Sequence, residues 1–317
     1  MTITQLHYVL AVAEHQNFTK AAQKVFVTQP TLSMQIQKLE EELDVLIFDR
    51  SKKPIELTET GRKIVEQARN IVNESDRIQD IVDQQKGFVG GLFRLGIIPT
   101  IMPTLLPMFL KSFIKKYPKV RLKIEELHTE AIIEKLEEGH LDAAIAATPL
   151  ELPHIKEQVL YYEPFVGYIP PGHRLHEQKE IEAADLDLDD ILLLEDGHCF
   201  KDGILNICKS TRNASEDHFQ LESGSFETMI RLANEGLGMT LLPYLHTQEI
   251  KEPEKSNLRM FREPSPAREV SLIYNRSELK MQIIEALRST ISGVIRGAIA
   301  FQNVKIISPL PKKDKQN

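Results

Sequence analysis

Two thiols define the chemistry open to this chain. Cys199 and Cys208 are the only cysteines in 317 residues, and they lie nine positions apart within LLLEDGHCFKDGILNIC at 192–208. Free cysteines commonly behave as small buried hydrophobes, so reactivity has to come from position. An apolar run at 191–194 stops at Glu195-Asp196-Gly197, and Phe200, Ile204, Ile207 and Cys208 follow at helical spacing. That pattern places Cys199 in a first helical turn, at the positive end of the helix dipole and beside two cations, His198 and Lys201. Such surroundings depress a thiol pKa and favour the nucleophilic thiolate. Cys208 falls at the other end. At about 1.5 Å of rise per residue the two α-carbons stand roughly 13 Å apart, whereas a disulfide needs less than about 7 Å. Joining them requires the segment to refold, and Gly203 inside the helix lowers the cost of unwinding by about 1 kcal/mol relative to alanine. A reactive thiol with a distant resolving thiol is the arrangement of a two-state redox sensor.

The elements that must hold these thiols are alternating strands and helices. LFRLGII, VRLKIEEL, DAAIAA, FVGYI, ILLL, GMTLL and VSLIY read as strands; TLLPMFLKSFIKKY, AIIEKLEEG, SFETMIRLANEG and ELKMQIIEALRSTISGVIRGAIAF read as helices. This alternation predicts α/β architecture, with ligands at strand ends and helix N-termini. Two subdomains are expected, with the chain crossing near Ile169–His173 and near Glu263–Pro266.

The first 57 residues differ in kind. Leu6, Val9, Leu10, Val12 and Ala13 mark an amphipathic helix, Thr19 caps a short second helix, and Gln29-Pro30 opens a third. Leu32, Ile36, Leu39 and Leu43 form the buried stripe of that third helix. Gln29, Pro30, Thr31, Ser33, Met34 and Lys38 are left to reach base edges and phosphates in a major groove. Residues 46–57 read as a hairpin whose tip carries Arg50, Lys52 and Lys53, a wing for phosphates or a minor groove. A long helix follows, with Ile64, Ala68, Ile71, Ser75, Ile78, Val82 and Gln85 spaced as a seam for a partner helix. Lys86-Gly87 and Gly90-Gly91 end it.

Composition narrows the function. Hydrophobic residues make up 42% of the chain and charged residues 27%, as in ordinary globular proteins. The chain has no run of 18 apolar residues and no basic-then-apolar opening, which predicts a cytoplasmic protein without membrane attachment. Two cysteines are too few for a disulfide scaffold. The net charge of −7 argues against indiscriminate nucleic-acid binding but allows a local basic face on a small module.

The block FTKAAQKVFVTQPTLSMQIQKLEEELDVLIFDRSKKPIELTETG at 18–61 resembles the DNA-binding domain of the LysR-type transcriptional regulators, with helix, turn, recognition helix, wing and linker helix in the family's order. The likeness continues over residues 1–300. Within the family, EDGHCFKDGILNIC at 195–208 and GIIPT at 96–100 are similar to the hydrogen-peroxide sensors. The resemblance implies an α/β protein with an N-terminal winged helix-turn-helix, a long linker helix and a two-subdomain α/β regulatory domain resembling periplasmic binding proteins. Its segments are a DNA-binding domain at 1–58, a dimerisation helix at 59–90 and a regulatory domain at 91–301. Within the last, subdomain I spans about 91–163 and 268–301 and subdomain II about 164–267; residues 302–317 form a disordered tail. It implies a homodimer through the linker helix and a homotetramer that binds promoter DNA and recruits RNA polymerase to antioxidant genes, with no cofactor and no enzymatic role.

Cys199 then resembles the peroxidatic cysteine and Cys208 the resolving one. Thr100 and Thr129 resemble hydroxyls that hold peroxide, and His198, Asp202, His218 and Arg268 resemble polar residues that line or close the pocket. The sequence departs from the best-known members at Phe200-Lys201, where leucine and arginine are expected, which bears on packing of the switch and on its redox potential. Three other readings fit parts of the chain: a regulator answering a small metabolite, a thiol peroxidase, and a zinc site from His198, Cys199, Cys208 and His218. No CxxC or HxxxH spacing supports the last two.

Overall fold

The structure is a computed structural model and describes residues 1–85, 89–194, 199–208, 225–276, 278–299 and 303–310. It divides into two units, Met1–Lys86 and Gly87–Asn317.

In the first unit, α1 (Ile3–His15), α2 (Phe18–Lys24) and α3 (Gln29–Leu43) pack into a helix-turn-helix, followed by a wing of β1 (Phe48–Asp49) and β2 (Glu56–Leu57) and then α4 (Glu59–Gln85). Helix α2 is capped by Asn17, whose side chain accepts from the Lys20 N–H at 3.0 Å, and not by Thr19 as the sequence predicts. Thr28 caps α3 in the same way through the Thr31 N–H. Leu32, Ile36 and Leu39 form the buried stripe, but Leu43 is 38% exposed and drops out of it. Buried Glu40 completes this end of the core, because its Oε1 accepts the Ile47 and Phe48 N–H groups and ties the wing to the helix. The predicted seam of α4 divides. Ala68, with Val65 and Val72, is buried in the core of this unit, whereas Ile78 is 65% and Val82 38% exposed.

The second unit is built on a nine-stranded mixed sheet. Its elements run β3 (Gly91–Ile97), α5 (Met102–Lys116), β4 (Val120–Glu126), α6 (Thr129–Glu137), β5 (Ala143–Thr148), β6 (Ile155–Tyr168), β7 (Glu180–Ile181), α7 (Cys199–Ile207), α8 (Phe226–Asn234), β8 (Thr240–Pro243), α9 (Tyr244–Thr247), β9 (Leu258–Phe261), β10 (Ser265–Asn275), α10 (Met281–Ile295) and β11 (Val304–Ile306). The principal strand order is β4-β3-β5-β10-β6-β9-β7. Strands β6 and β10 are longer than their apolar cores predict. They pair antiparallel from Ile155↔Asn275 to Pro164↔Ala267, after which β6 pairs with β8 and β9 instead. Two hydrophobic clusters flank this change of partner, one around Phe93, Phe109, Ile145 and Leu287, the other around Phe165, Tyr168, Phe200 and Leu241. The chain therefore passes between halves inside these two strands, ahead of the proline-rich turn at 169–173 on the way out along β6 and just past the one at 263–266 on the way back along β10.

Two expectations are corrected. The run at 191–194 contributes one parallel bridge, Ile191↔Met239, in place of a strand. The tail expected to be unstructured from 302 adds β11, which pairs parallel with β10, and Ile307 is buried in the second cluster. Residues 311–317 lie outside the described residues.

Gly61 opens α4 where a side chain has no room: a Cβ there would lie 2.0 Å from the Ile47 carbonyl oxygen. That oxygen already accepts the Thr58 N–H at 3.0 Å. Gly61→Ala is expected to destabilise the winged unit by about 3 kcal/mol through overpacking against backbone, measured as a lower denaturation midpoint with the Gly87–Asn317 unit unchanged.

Candidate functional site

Helix α7 begins at Cys199 and ends at Ile207, and Cys208 follows at once, its N–H donating to the Ile204 carbonyl at 3.0 Å. Both thiols are free and buried. They belong to different cores: Cys199 packs with the first cluster, whereas Phe200, Ile204, Ile207 and Cys208 pack with the second. Nine helical residues hold the α-carbons about 13 Å apart, so a disulfide requires α7 to come undone, as the spacing predicts. It also requires at least one thiol to leave its own core. Gly203 has a packing role beside any effect on unwinding, since a Cβ there would meet the Phe165 ring at 3.2 Å.

A buried ion pair lies next to the helix start. Arg268 on β10 faces Glu163 on β6 in register. Its Nε and Nη2 donate to Glu163 Oε2 at 2.9 and 2.7 Å, with the side chains 4% and 1% exposed. Nη1 donates to Thr100 Oγ1 at 2.8 Å and Nη2 also to the Thr100 carbonyl at 3.1 Å. The other Glu163 oxygen accepts the Leu245 N–H at 2.9 Å. The guanidinium carbon stands 5.2 Å from the centre of the Phe200 ring. That ring joins a row with Phe165 at 4.9 Å and Phe226 at 5.1 Å, and the His246 ring lies 5.1 Å beyond Phe226. Thr100 thus serves Arg268 and does not cap α5, where no side-chain cap bond forms.

The electrostatics reverse one expectation. The Cys199 thiol pKa is raised, because burial outweighs every charge nearby. Arg268 is the cation pulling it down, a part the sequence assigns to His198 and Lys201; the Ala147 backbone helps, and Asp202 pushes it up. The Thr129 hydroxyl also lowers it, although among the described residues that oxygen has no hydrogen-bond partner of ordinary length and angle. Burial pushes the Tyr161 hydroxyl well up, with Glu163 adding to the shift, and pushes the His246 imidazole down. The structure therefore brings Cys199, Thr129, Asp202, Thr100 and Arg268 into one neighbourhood. His198 and His218 lie outside the described residues. Glu163, Tyr161 and His246 join the site without standing out in the sequence. Glu163 carries a usable signal, as the one charged residue in the run VLYYEPFVGY that forms the later part of β6.

In the first unit, Gln29, Pro30 and Lys38 are exposed at α3, Met34 is 60% exposed, and Thr31 and Ser33 are half-buried. Lys52 and Lys53 are exposed on the wing. The Arg50 guanidinium is turned inward. It pairs with Glu40 at 2.7 Å, donates to Ser33 at 3.4 Å and sits 5.1 Å over the Phe18 ring. Phe26, in the turn before α3, is 95% exposed with φ at 57°, a position the sequence pattern does not flag. Among the described residues no three His, Cys, Asp or Glu side chains group as a metal site, and no helix is long and apolar enough to cross a membrane.

Residues 3–62 match the bacterial regulatory helix-turn-helix protein, lysR family, and residues 86–294 match the LysR substrate binding domain. The chain is 33% identical over 297 residues to a hydrogen peroxide-inducible genes activator of Pectobacterium carotovorum, covering 94% of this chain and 98% of the relative. It is also 33% identical to the DNA-binding transcriptional dual regulator OxyR of Escherichia coli, with 92% and 97% covered. Among solved structures, a cysteine-to-aspartate variant of full-length OxyR from Pseudomonas aeruginosa aligns with a TM-score of 0.72 at 33% identity, covering 92% of this chain and 98% of the other. A peroxide-bound cysteine-to-serine mutant of OxyR from Corynebacterium glutamicum aligns at 0.63 and 28%, covering 96% and 98%.

A thiol whose pKa is raised on folding stabilises the fold while it stays protonated. That contribution is complete below the unfolded thiol pKa, about 8.5, and is lost as pH rises through the higher folded value. The thermal midpoint of the regulatory unit is expected to fall on alkaline titration, and Cys199→Ser to flatten that fall. Equal slopes for the two proteins would contradict the burial of the thiol.

Proposed function

This chain belongs to the LysR family of bacterial regulatory proteins, and from that premise we propose that it is a hydrogen-peroxide-sensing transcriptional regulator of oxidative-stress genes, switched by a reversible Cys199–Cys208 disulfide. The observation that carries this reading is the pair of free buried thiols at the two ends of α7, in separate cores, with the first beside Arg268 and Thr129. The likeness to a peroxide-inducible activator and to a peroxide-bound structure supports it.

The chemistry follows from these groups. The Cys199 thiolate attacks one peroxide oxygen, the O–O bond breaks, and hydroxide leaves with the electron pair. The resulting sulfenic acid then condenses with the Cys208 thiol, forming S–S and releasing water. Thr100 and Thr129 hydroxyls and the Arg268 guanidinium stabilise the charge that moves to the leaving oxygen. Asp202 adds a carboxylate to the surroundings, and the family resemblance assigns His198 and His218 as further polar members of the pocket. Because the disulfide holds α7 undone, the oxidised protein persists until a reductant reverses it, as suits a signal more than a turnover catalyst.

The protein acts in the cytoplasm on promoter DNA, through Gln29, Pro30, Thr31, Ser33, Met34 and Lys38 in the groove and Lys52 and Lys53 on phosphates. Arg50 supports the wing through Glu40. Exposed Ile78 and Val82 on α4 form the homodimer contact, and dimers associate into a homotetramer that engages RNA polymerase.

Stoichiometric peroxide, added to DNA-bound protein, is expected to join Cys199 and Cys208 in one disulfide-linked peptide by mass spectrometry and to shift the DNA footprint. Cys199→Ser should abolish both effects, whereas Cys208→Ser should still form the sulfenic acid and lose the stable switched state. A footprint that responds normally in Cys199→Ser would assign the sensing to a small metabolite. Lys52→Ala with Lys53→Ala should lessen the slope of log affinity against log salt by about 1 for each phosphate that is no longer neutralised.

A further inference from the structure

The ion pair beside Cys199 contains one member with no part in the peroxide chemistry. Glu163 is 1% exposed, and both of its oxygens are used: Oε2 takes two N–H groups of Arg268, and Oε1 takes the Leu245 N–H. It stands on the last rungs of the β6–β10 ladder, before β6 turns to β8 and β9. Arg268 is thereby held on Thr100 and over the Phe200 ring, with its charge matched by a carboxylate it touches directly. A buried cation so paired attracts a third group less than an unpaired one would, since the pair presents a dipole where a lone guanidinium would present a full charge.

We propose that Glu163 is a positioning residue that restrains the sensor: by claiming Arg268 it withholds that cation from Cys199, keeping the thiol protonated and setting how much peroxide is needed to oxidise it. The inference rests on Cys199 being the sensing thiol. Among the described residues the groups bearing on Cys199 are Arg268 from β10, Asp202 on its own helix, the Thr129 hydroxyl from α6 and the Ala147 backbone from β5, while Glu163 pairs with Arg268 and His246 feels both of those charges. Asp202 carries the same sign as the thiolate, so Arg268 is the group whose release would favour ionisation. Burial holds the thiol pKa up, and the pull of the paired Arg268 does not overcome it.

The test uses full-length protein carrying Cys208→Ser, so that a single thiol reacts, and follows alkylation of Cys199 by iodoacetamide from about pH 6 to 10. Glu163→Gln keeps the size of the side chain and an oxygen for the Leu245 N–H but removes the charge. The profile should move down by about one pH unit, which makes alkylation about tenfold faster at neutral pH. Glu163→Asp should retain the parent profile. A general loosening of the fold would instead speed alkylation at all pH values without moving the midpoint. A Glu163→Gln midpoint equal to the parent's, or a Glu163→Asp midpoint shifted as far as that of Glu163→Gln, overturns the proposal.

Should Glu163→Gln fail to fold, the neutral double variant Glu163→Gln/Arg268→Gln carries the test. Under the proposal the pairing weakens the pull of Arg268 on the thiol, so loss of both charges should slow neutral-pH alkylation by no more than about threefold. A slowing of about tenfold would show Arg268 acting as an unrestrained cation and overturn it. Alkylation is independent of peroxide. A shifted profile in a protein that ignores peroxide would therefore reject the sensing role and leave the Glu163 effect standing.

Discussion

Arg268 and Glu163 meet across the antiparallel rungs where β6 and β10 carry the chain from one hydrophobic cluster to the other, and both are almost wholly withdrawn from water. Two charges in such a place are tolerable only together. Removing one partner of a buried, hydrogen-bonded pair costs roughly 3–5 kcal/mol, because the other is left without solvent or counter-charge. The remaining bonds of the pair reach outward to Thr100 ahead of α5, to the Leu245 backbone in α9 and to the Phe200 ring in α7. The rungs that connect the two clusters therefore also orient the cation that lowers the pKa of the reactive thiol.

Helix α7 straddles the same division. Its first residue belongs to one core, and Phe200, Ile204, Ile207 and Cys208 belong to the other. A nine-residue helix has little intrinsic stability, so its order comes from burial on both sides. That is a sound basis for a switch: the free-thiol form is held by many small packing interactions, and one covalent bond between the ends is incompatible with all of them at once. Phe200 fits this arrangement, because a flat ring can fill the second core and present its face to a guanidinium, which an aliphatic side chain cannot do.

The winged unit repeats the device on a smaller scale. Glu40 is buried, accepts two wing N–H groups and pairs with Arg50, which covers the Phe18 ring. A residue that looks from sequence like a phosphate ligand is engaged in holding the wing against the recognition helix.

Features that depend on covalent spacing and local periodicity are legible in the chain itself: the helix that keeps Cys199 and Cys208 apart, the order of helix, turn, helix and wing, and the alternation that makes the second unit α/β. Departures in extent have local causes. Strands β6 and β10 outrun their apolar centres because they pair with each other from Ile155↔Asn275 to Pro164↔Ala267, one rung of which joins Glu163 to Arg268, and β11 forms from an unpromising tail because the edge of β10 offers it backbone partners. The chemistry at Cys199 is set by the assembled fold instead. Its pKa moves up and not down, because burial is a property of the completed core. The cation that acts on it comes from a residue 168 positions away from Thr100 and 105 from Glu163, and side-chain spacing along a chain does not record which distant charges a fold will neutralise against each other.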